Sequence, residues 1–228
     1  MDNFFCKLMI ILGAFTIVGC AQWRIPKHPQ STVEEQPIIN SIAIMPFKKV
    51  QNKEARRDGS GSCPICESLF MSGEVVSNAE EKLTGLFFQK LRYLRTYSIL
   101  PIGQVTGVIS KELHDDLKAS YFKIAVQVGK GLNVDGVLIG FVFRYQDRQG
   151  NAYSIKRPAS VAFEVHLISV KESRSIWKGT FVETQKSLSE NVLKLPSFIK
   201  RGSRWLTADE LAEHGVDEVL KKFLKRRR

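Results

Sequence analysis

The run IINSIAIMPF, Ile38 to Phe47, is apolar and β-branched and closes at a proline. That pattern predicts a buried strand. Lys48 to Ser77 has no apolar periodicity and is expected to be a long polar loop. Ser77-Asn78-Ala79-Glu80 has the spacing of a capping box. Ala79, Leu83, Leu86, Phe87, Leu91 and Leu94 then fall on one helical face. YSILP reads as a short strand, and Lys111 to Leu117 and Tyr121 to Val128 have helical spacing. GLNVDGVLIGFVFRYQDR turns into a strand that is apolar on both faces, which places it centrally in a sheet.

Gln149-Gly150-Asn151 has the composition of a hairpin turn. SVAFEVHLISV alternates, with Val161, Phe163, Val165 and Leu167 inward and Glu164 and His166 outward. KESR turns the chain, and SIWKGTFVET returns. Thr207 is the expected N-cap of a C-terminal helix, with Glu210 at N3 and Leu206 stapled against Leu211. Gly215 is expected to interrupt or kink that helix. The order is β-α-β-α-β-β-β-α. It predicts an α/β (α+β) fold, a mixed five-stranded sheet with helices packed on it, forming one domain over 38–228 with a C-terminal helical extension.

The start of the chain reads differently. An apolar run, Leu8 to Val18, follows Lys7 and ends in Ile17-Val18-Gly19-Cys20. The run is shorter than the ~20 apolar residues that span a bilayer, and it has the length of a signal-peptide core. The ending resembles the lipobox of bacterial lipoproteins. The resemblance implies cleavage of residues 1–19, lipid on Cys20 as the only covalent group, and membrane anchoring through it. Ala21 after that cysteine points to the periplasmic side of the outer membrane. Residues 20–37, with Pro26, Pro29 and Pro37, read as a tether, able to reach up to about 60 Å when stretched.

A second resemblance rests on SIAIMPF, YSILP, GKGLNVDGVLIGFV and ISVKESRSIWKGTF. Together these segments resemble the α/β domain shared by the TolB amino-terminal domain, the curli-secretion lipoprotein CsgG and the lipoprotein activator of penicillin-binding proteins. It covers roughly Ile38 to Glu183 and carries no catalytic signature. It implies a docking or regulatory module in envelope assembly. A subunit of a curli-type secretion complex is the alternative.

Charge narrows the partners. Lys and Arg number 34 against 23 Asp and Glu, a net charge of +11. An exported protein seldom meets nucleic acid, so the expected partner is an envelope protein or an anionic envelope component. No small-molecule substrate is implied. Lys200, Arg201 and Arg204 flank Trp205, and a basic segment with one aromatic is a candidate docking site. Packing of Trp205 onto the sheet is the competing reading.

Candidate chemistry centres on Cys63-Pro64-Ile65-Cys66. A thioredoxin-type site needs its first cysteine at a helix N-terminus, and the nearest N-cap is Ser77, which disfavours a periplasmic thiol-disulfide oxidoreductase. Zinc needs four ligands. No second Cys-x-x-Cys is present, and His28, His114, His166 and His214 all read as surface residues, so no metal is expected. A Cys63–Cys66 disulfide bracing the loop fits an oxidising compartment, ahead of a reduced, packed pair. Gly129-Lys130-Gly131 lacks phosphate-loop spacing. The two Ser-x-x-Lys matches, at Ser120 and Ser197, lack the partner motifs of serine acyl enzymes. No catalytic residue is assigned, and the chain is read as a non-enzyme.

Overall fold

In chain order the elements are β1 (Ser41–Ile44), β2 (Lys48–Lys49), β3 (Ser60–Ser62), β4 (Leu69–Met71), α1 (Ala79–Leu94), β5 (Ser98–Ile99), α2 (Ile102–Asp115), α3 (Tyr121–Gly131), β6 (Gly136–Gln146), β7 (Gln149–Gly150), β8 (Ile155–Arg157), β9 (Ser160–Ser169), β10 (Arg174–Thr184) and α4 (Ala208–Lys225). The structure, a computed structural model, describes residues 37–50, 59–115, 120–185 and 204–225, with 111–115 by backbone alone. No helix among these residues is long and apolar enough to cross a membrane.

The main sheet has the order β10-β9-β6-β1-β5, with β2 added alongside β6. β1 is parallel to β5 and β6, and β6, β9 and β10 form an antiparallel meander. The step from β1 through α1 to β5 moves one way along the sheet. The step from β5 through α2 and α3 to β6 moves back past β1. Parallel crossovers share one hand, so the two connections cover opposite faces. Ile42, Ile44, Val142 and Phe163 bury against α1 and α4. Ala43, Met45, Ile139 and Phe141 bury against α2 and α3. The expected central strand is β6, buried along both faces over Gly136–Phe143.

Several expectations change. The sheet has six strands, because β2 continues beside β6 beyond Pro46. The segment expected to be a polar loop contains the β3–β4 hairpin. The Ser77 capping box does not form: Asn78 is the N-cap of α1, left-handed at φ 69°, with no side-chain cap bond. The chain just before it is tied to β6, with Val76 N donating to Tyr145 O at 3.1 Å. It must therefore turn sharply into the helix, which an Asn tolerates better than most residues. α2 begins nine residues earlier than Lys111, directly after Pro101. The β7–β8 turn spans 151–154 and so starts two residues later than expected, and Asn151 Oδ1 accepts from Tyr153 N and Ser154 N.

The C-terminal capping box does form: Glu210 N donates to Thr207 Oγ1 (3.2 Å) and Thr207 N to Glu210 Oε2 (2.9 Å). Gly215 does not break α4, which runs unbroken through it. A Cβ there would lie 2.5 Å from the Phe181 ring, so the glycine serves close helix–sheet packing.

Candidate functional site

The β3–β4 hairpin lies over the α2/α3 face of the sheet, beside those helices. Phe70 is buried and stacks on Phe143 of β6 with centroids 3.9 Å apart. Gly73 N donates to Phe143 O at 3.1 Å. The tip of the hairpin is the Cys-x-x-Cys. Cys63 N donates to Ser68 O (2.9 Å) and Glu67 N to Cys63 O (3.0 Å). Glu67 closes the turn at φ 58°, a left-handed conformation uncommon for a non-glycine residue. Ile65 N points at Cys63 Sγ, 3.5 Å away.

Under this tip lie Glu164 and His166 of β9. The alternation read from the sequence holds, since their neighbours Phe163 and Val165 face α1 and α4. The outward face, however, is not exposed. Glu164 is 0% and His166 1% accessible, because the hairpin covers them. His166 is thus a buried residue and not the surface histidine expected.

Cys63 Sγ is 3.3 Å from His166 Nε2, Cys66 Sγ is 3.1 Å from Glu164 Oε1, and His166 Nε2 is 3.1 Å from Glu164 Oε1. The four ligand atoms all lie within 4.8 Å of one another. Both cysteines are free. In place of the expected disulfide, each sulfur has its own partner on β9. Around them, Thr180 Oγ1 donates to Glu164 Oε2 (2.9 Å), and His166 Nδ1 meets Ser175 Oγ (3.2 Å). Lys178 Nζ reaches Ser68 Oγ at 3.1 Å and Cys66 Sγ at 3.7 Å. Strand register makes this cluster: Thr180 is paired with Glu164 and Lys178 with His166 across β9 and β10.

Burial opposes the Glu164 charge. Hydrogen bonds from His166, Cys63, Cys66 and Thr180 outweigh it and hold the carboxyl down to about 2. Burial, then the bond to Glu164, pushes the Cys63 thiol up to about 12. A disulfide-exchange nucleophile needs the opposite shift. The pair also sits on a hairpin rather than at a helix N-terminus, which further disfavours redox exchange.

Beside the cluster a groove of about 620 Å³ runs between β4 and the outer face of β10. Leu69, Met71 and Val182 border it at 55%, 62% and 54% exposure. Arg144 lines it and donates from Nη1 to Met71 O (2.9 Å). Its Nε is buried without a partner, and burial lowers its affinity for a proton. No carboxylate among the described residues pairs with it.

Of the basic segment, Lys200 and Arg201 lie outside the described residues, as does Cys20. Arg204 pairs with Glu210, and its carbonyl accepts from Gln185 Nε2 at 2.9 Å. Trp205 is half-buried, with its N–H bonded to Ala152 O at 2.9 Å. These two residues thereby join the entry to α4. Sequence reasoning did not identify Glu164 and His166 as site residues. Their signal was two titratable residues at alternate positions in an otherwise apolar strand.

No protein-family model matches the chain, and no curated protein matches it. Among solved structures it is similar to the PelC dodecamer from Paraburkholderia phytofirmans, at 13% identity and TM-score 0.44, covering 81% of this chain and 89% of that one. It is similar to lipoprotein GNA1162 from Neisseria meningitidis, at 15% identity and TM-score 0.41, covering 72% and 95%. It is also similar to the LpoB C-terminal domain from Escherichia coli, at 12% identity and TM-score 0.39, covering 64% and 84%.

Proposed function

We propose that the chain is a lipid-anchored, non-enzymatic protein of the bacterial envelope whose α/β domain docks an acidic segment of another envelope protein. The groove between β4 and β10 carries this reading. Three large apolar side chains, Leu69, Met71 and Val182, stand exposed around one cleft. Clustered exposure of this kind marks interaction surfaces, whereas scattered exposure does not. Arg144 and Lys178 line the same cleft, and the half-buried Arg144 has no acidic partner among the described residues. A carboxylate from a partner would compensate that charge, and the net +11 of the chain would speed its approach.

The lipobox ending at Cys20 supports the location, because a multiply acylated cysteine holds a protein on a membrane where a single chain does not. The curli-type alternative finds little support in the hairpin. Its strands have three residues each, against ~9–11 for a strand that spans a bilayer.

A photo-crosslinking residue placed at Met71 of the lipidated protein in its own envelope tests the reading. The expected result is one discrete adduct, weakened by salt and lost in Arg144→Glu with the melting temperature kept. An adduct indifferent to both salt and Arg144→Glu, or none, rejects the groove as the docking site.

A further inference from the structure

The cluster at the hairpin tip has the composition of a metal site. We infer that Cys63, Cys66, Glu164 and His166 bind one zinc ion that fastens the β3–β4 hairpin to β9.

The geometry comes first. Tetrahedral zinc with bonds of ~2.0–2.3 Å to nitrogen, oxygen and sulfur holds its ligand atoms about 3.3–3.8 Å apart. Three of the ligand pairs here stand at 3.3, 3.1 and 3.1 Å, and none exceeds 4.8 Å. Small side-chain movements bring the four atoms onto one tetrahedron. The ligands come from two elements that no short loop joins, about a hundred residues apart in sequence.

The surroundings agree. In the tautomer with its proton on Nδ1, His166 donates to Ser175 Oγ (3.2 Å), which in turn reaches Trp177 O at 3.4 Å. The Nε2 lone pair is then left facing Cys63 Sγ and Glu164 Oε1. In that tautomer Nε2 and the carboxylate oxygen are two acceptors 3.1 Å apart, a contact that a cation between them would satisfy. A second hydrogen bond on the far ring nitrogen is the usual support of a histidine ligand. Thr180 holds the other oxygen of Glu164 in the same way. Ile65 N directs a backbone donor at Cys63 Sγ, which favours the thiolate form.

Charge closes the case. Zinc displaces one proton from each thiol to solvent, and two thiolates and one carboxylate around Zn²⁺ leave a net charge of −1. The Lys178 ammonium, 3.7 Å from Cys66 Sγ, offsets it. The donor set also selects the metal. Thiolates disfavour Mg²⁺ and Ca²⁺, a carboxylate disfavours Cu⁺, and two sulfurs with imidazole suit zinc. Cys66 is exposed while the other three ligands are buried, so the ion enters from that side.

The test uses the full lipidated chain in mild detergent, reduced without oxygen, then given Zn²⁺ or Co²⁺ and passed through gel filtration. One ion per chain should remain. Cobalt should show thiolate charge-transfer absorption, and Cys63 and Cys66 should resist alkylation until a chelator is added. Cys66→Ser and Glu164→Gln should weaken binding by about 100-fold or more. The first changes an exposed side chain and the second keeps its shape, so both variants should fold. Failure of the reduced protein to retain an ion overturns the inference and leaves His166 and Glu164 as a buried hydrogen-bonded pair. Retention unchanged in both variants also overturns it, as would free alkylation in the presence of zinc. No partner enters this measurement, so it can fail while the docking groove stands, and the reverse.

Discussion

Gly215 and Gly85 separate two meanings of one residue type. Both lie inside helices, where alanine is favoured by ~1 kcal/mol. A Cβ at Gly85 meets nothing within 4 Å, whereas at Gly215 it lies 2.5 Å from the buried Phe181 ring. Phe181 is held in turn by Phe163, with centroids 5.5 Å apart. Overpacking a core costs ~1–3 kcal/mol, which exceeds the helical gain. Gly85→Ala is expected to raise stability by up to ~1 kcal/mol. Gly215→Ala should lower it by about 1 kcal/mol, or ~2–4 °C in melting temperature. Calorimetry of the two variants checks the opposite signs, and a rise for Gly215→Ala would show that the contact relaxes freely.

Between elements, one carboxylate ties three together. Asp209 of α4 accepts from Tyr145 of β6 at 2.7 Å and from Lys82 of α1 at 2.8 Å. Burial works against its charge, but these bonds win and hold its pKa below the ordinary 3.8. A depressed carboxyl contributes stability that is present above its unfolded value and disappears as pH falls through the folded one. Asp209→Asn should therefore melt lower than the parent at neutral pH, with the gap closing below about pH 4. A gap of constant size down to pH 2 would mean that the charge of Asp209 is not what joins the helices. The hairpin depends on different contacts, Phe70 on Phe143 and the sulfur contacts to β9. If zinc fills that site, chelation should raise hydrogen exchange over 59–72 while leaving β6 and β9 protected.

At the scale of the molecule, the groove and the polar cluster share β10: Lys178 and Thr180 line both. A change in the cluster can therefore move Leu69 and Met71, which border the groove. Anchoring belongs to this scale as well. Cys20→Ser should abolish radioactive palmitate labelling and release the chain from membranes or leave it uncleaved. Absence of label in the parent protein would reject the lipid anchor.

The order of the main elements, without β2 and the β3–β4 hairpin, and the central strand β6 were legible in the sequence, because both follow from periodicities of 2 and 3.6 within single segments. So was the capping box at Thr207 and Glu210, which is complete within four residues. The inward and outward sides of β9 were legible for the same reason. What periodicity cannot report is what lies over an outward face. Glu164 and His166 alternate out of the helix-covered core as the sequence implied, yet the β3–β4 hairpin, arriving from about a hundred residues earlier, buries them. The Cys-x-x-Cys was likewise visible as a motif but incomplete as a site, since its other two ligands are on a distant strand. Spacing along the chain determined which residues share a face. The packing of one element on another, which depends on contacts remote in sequence, decided which of those faces meet water and which meet each other.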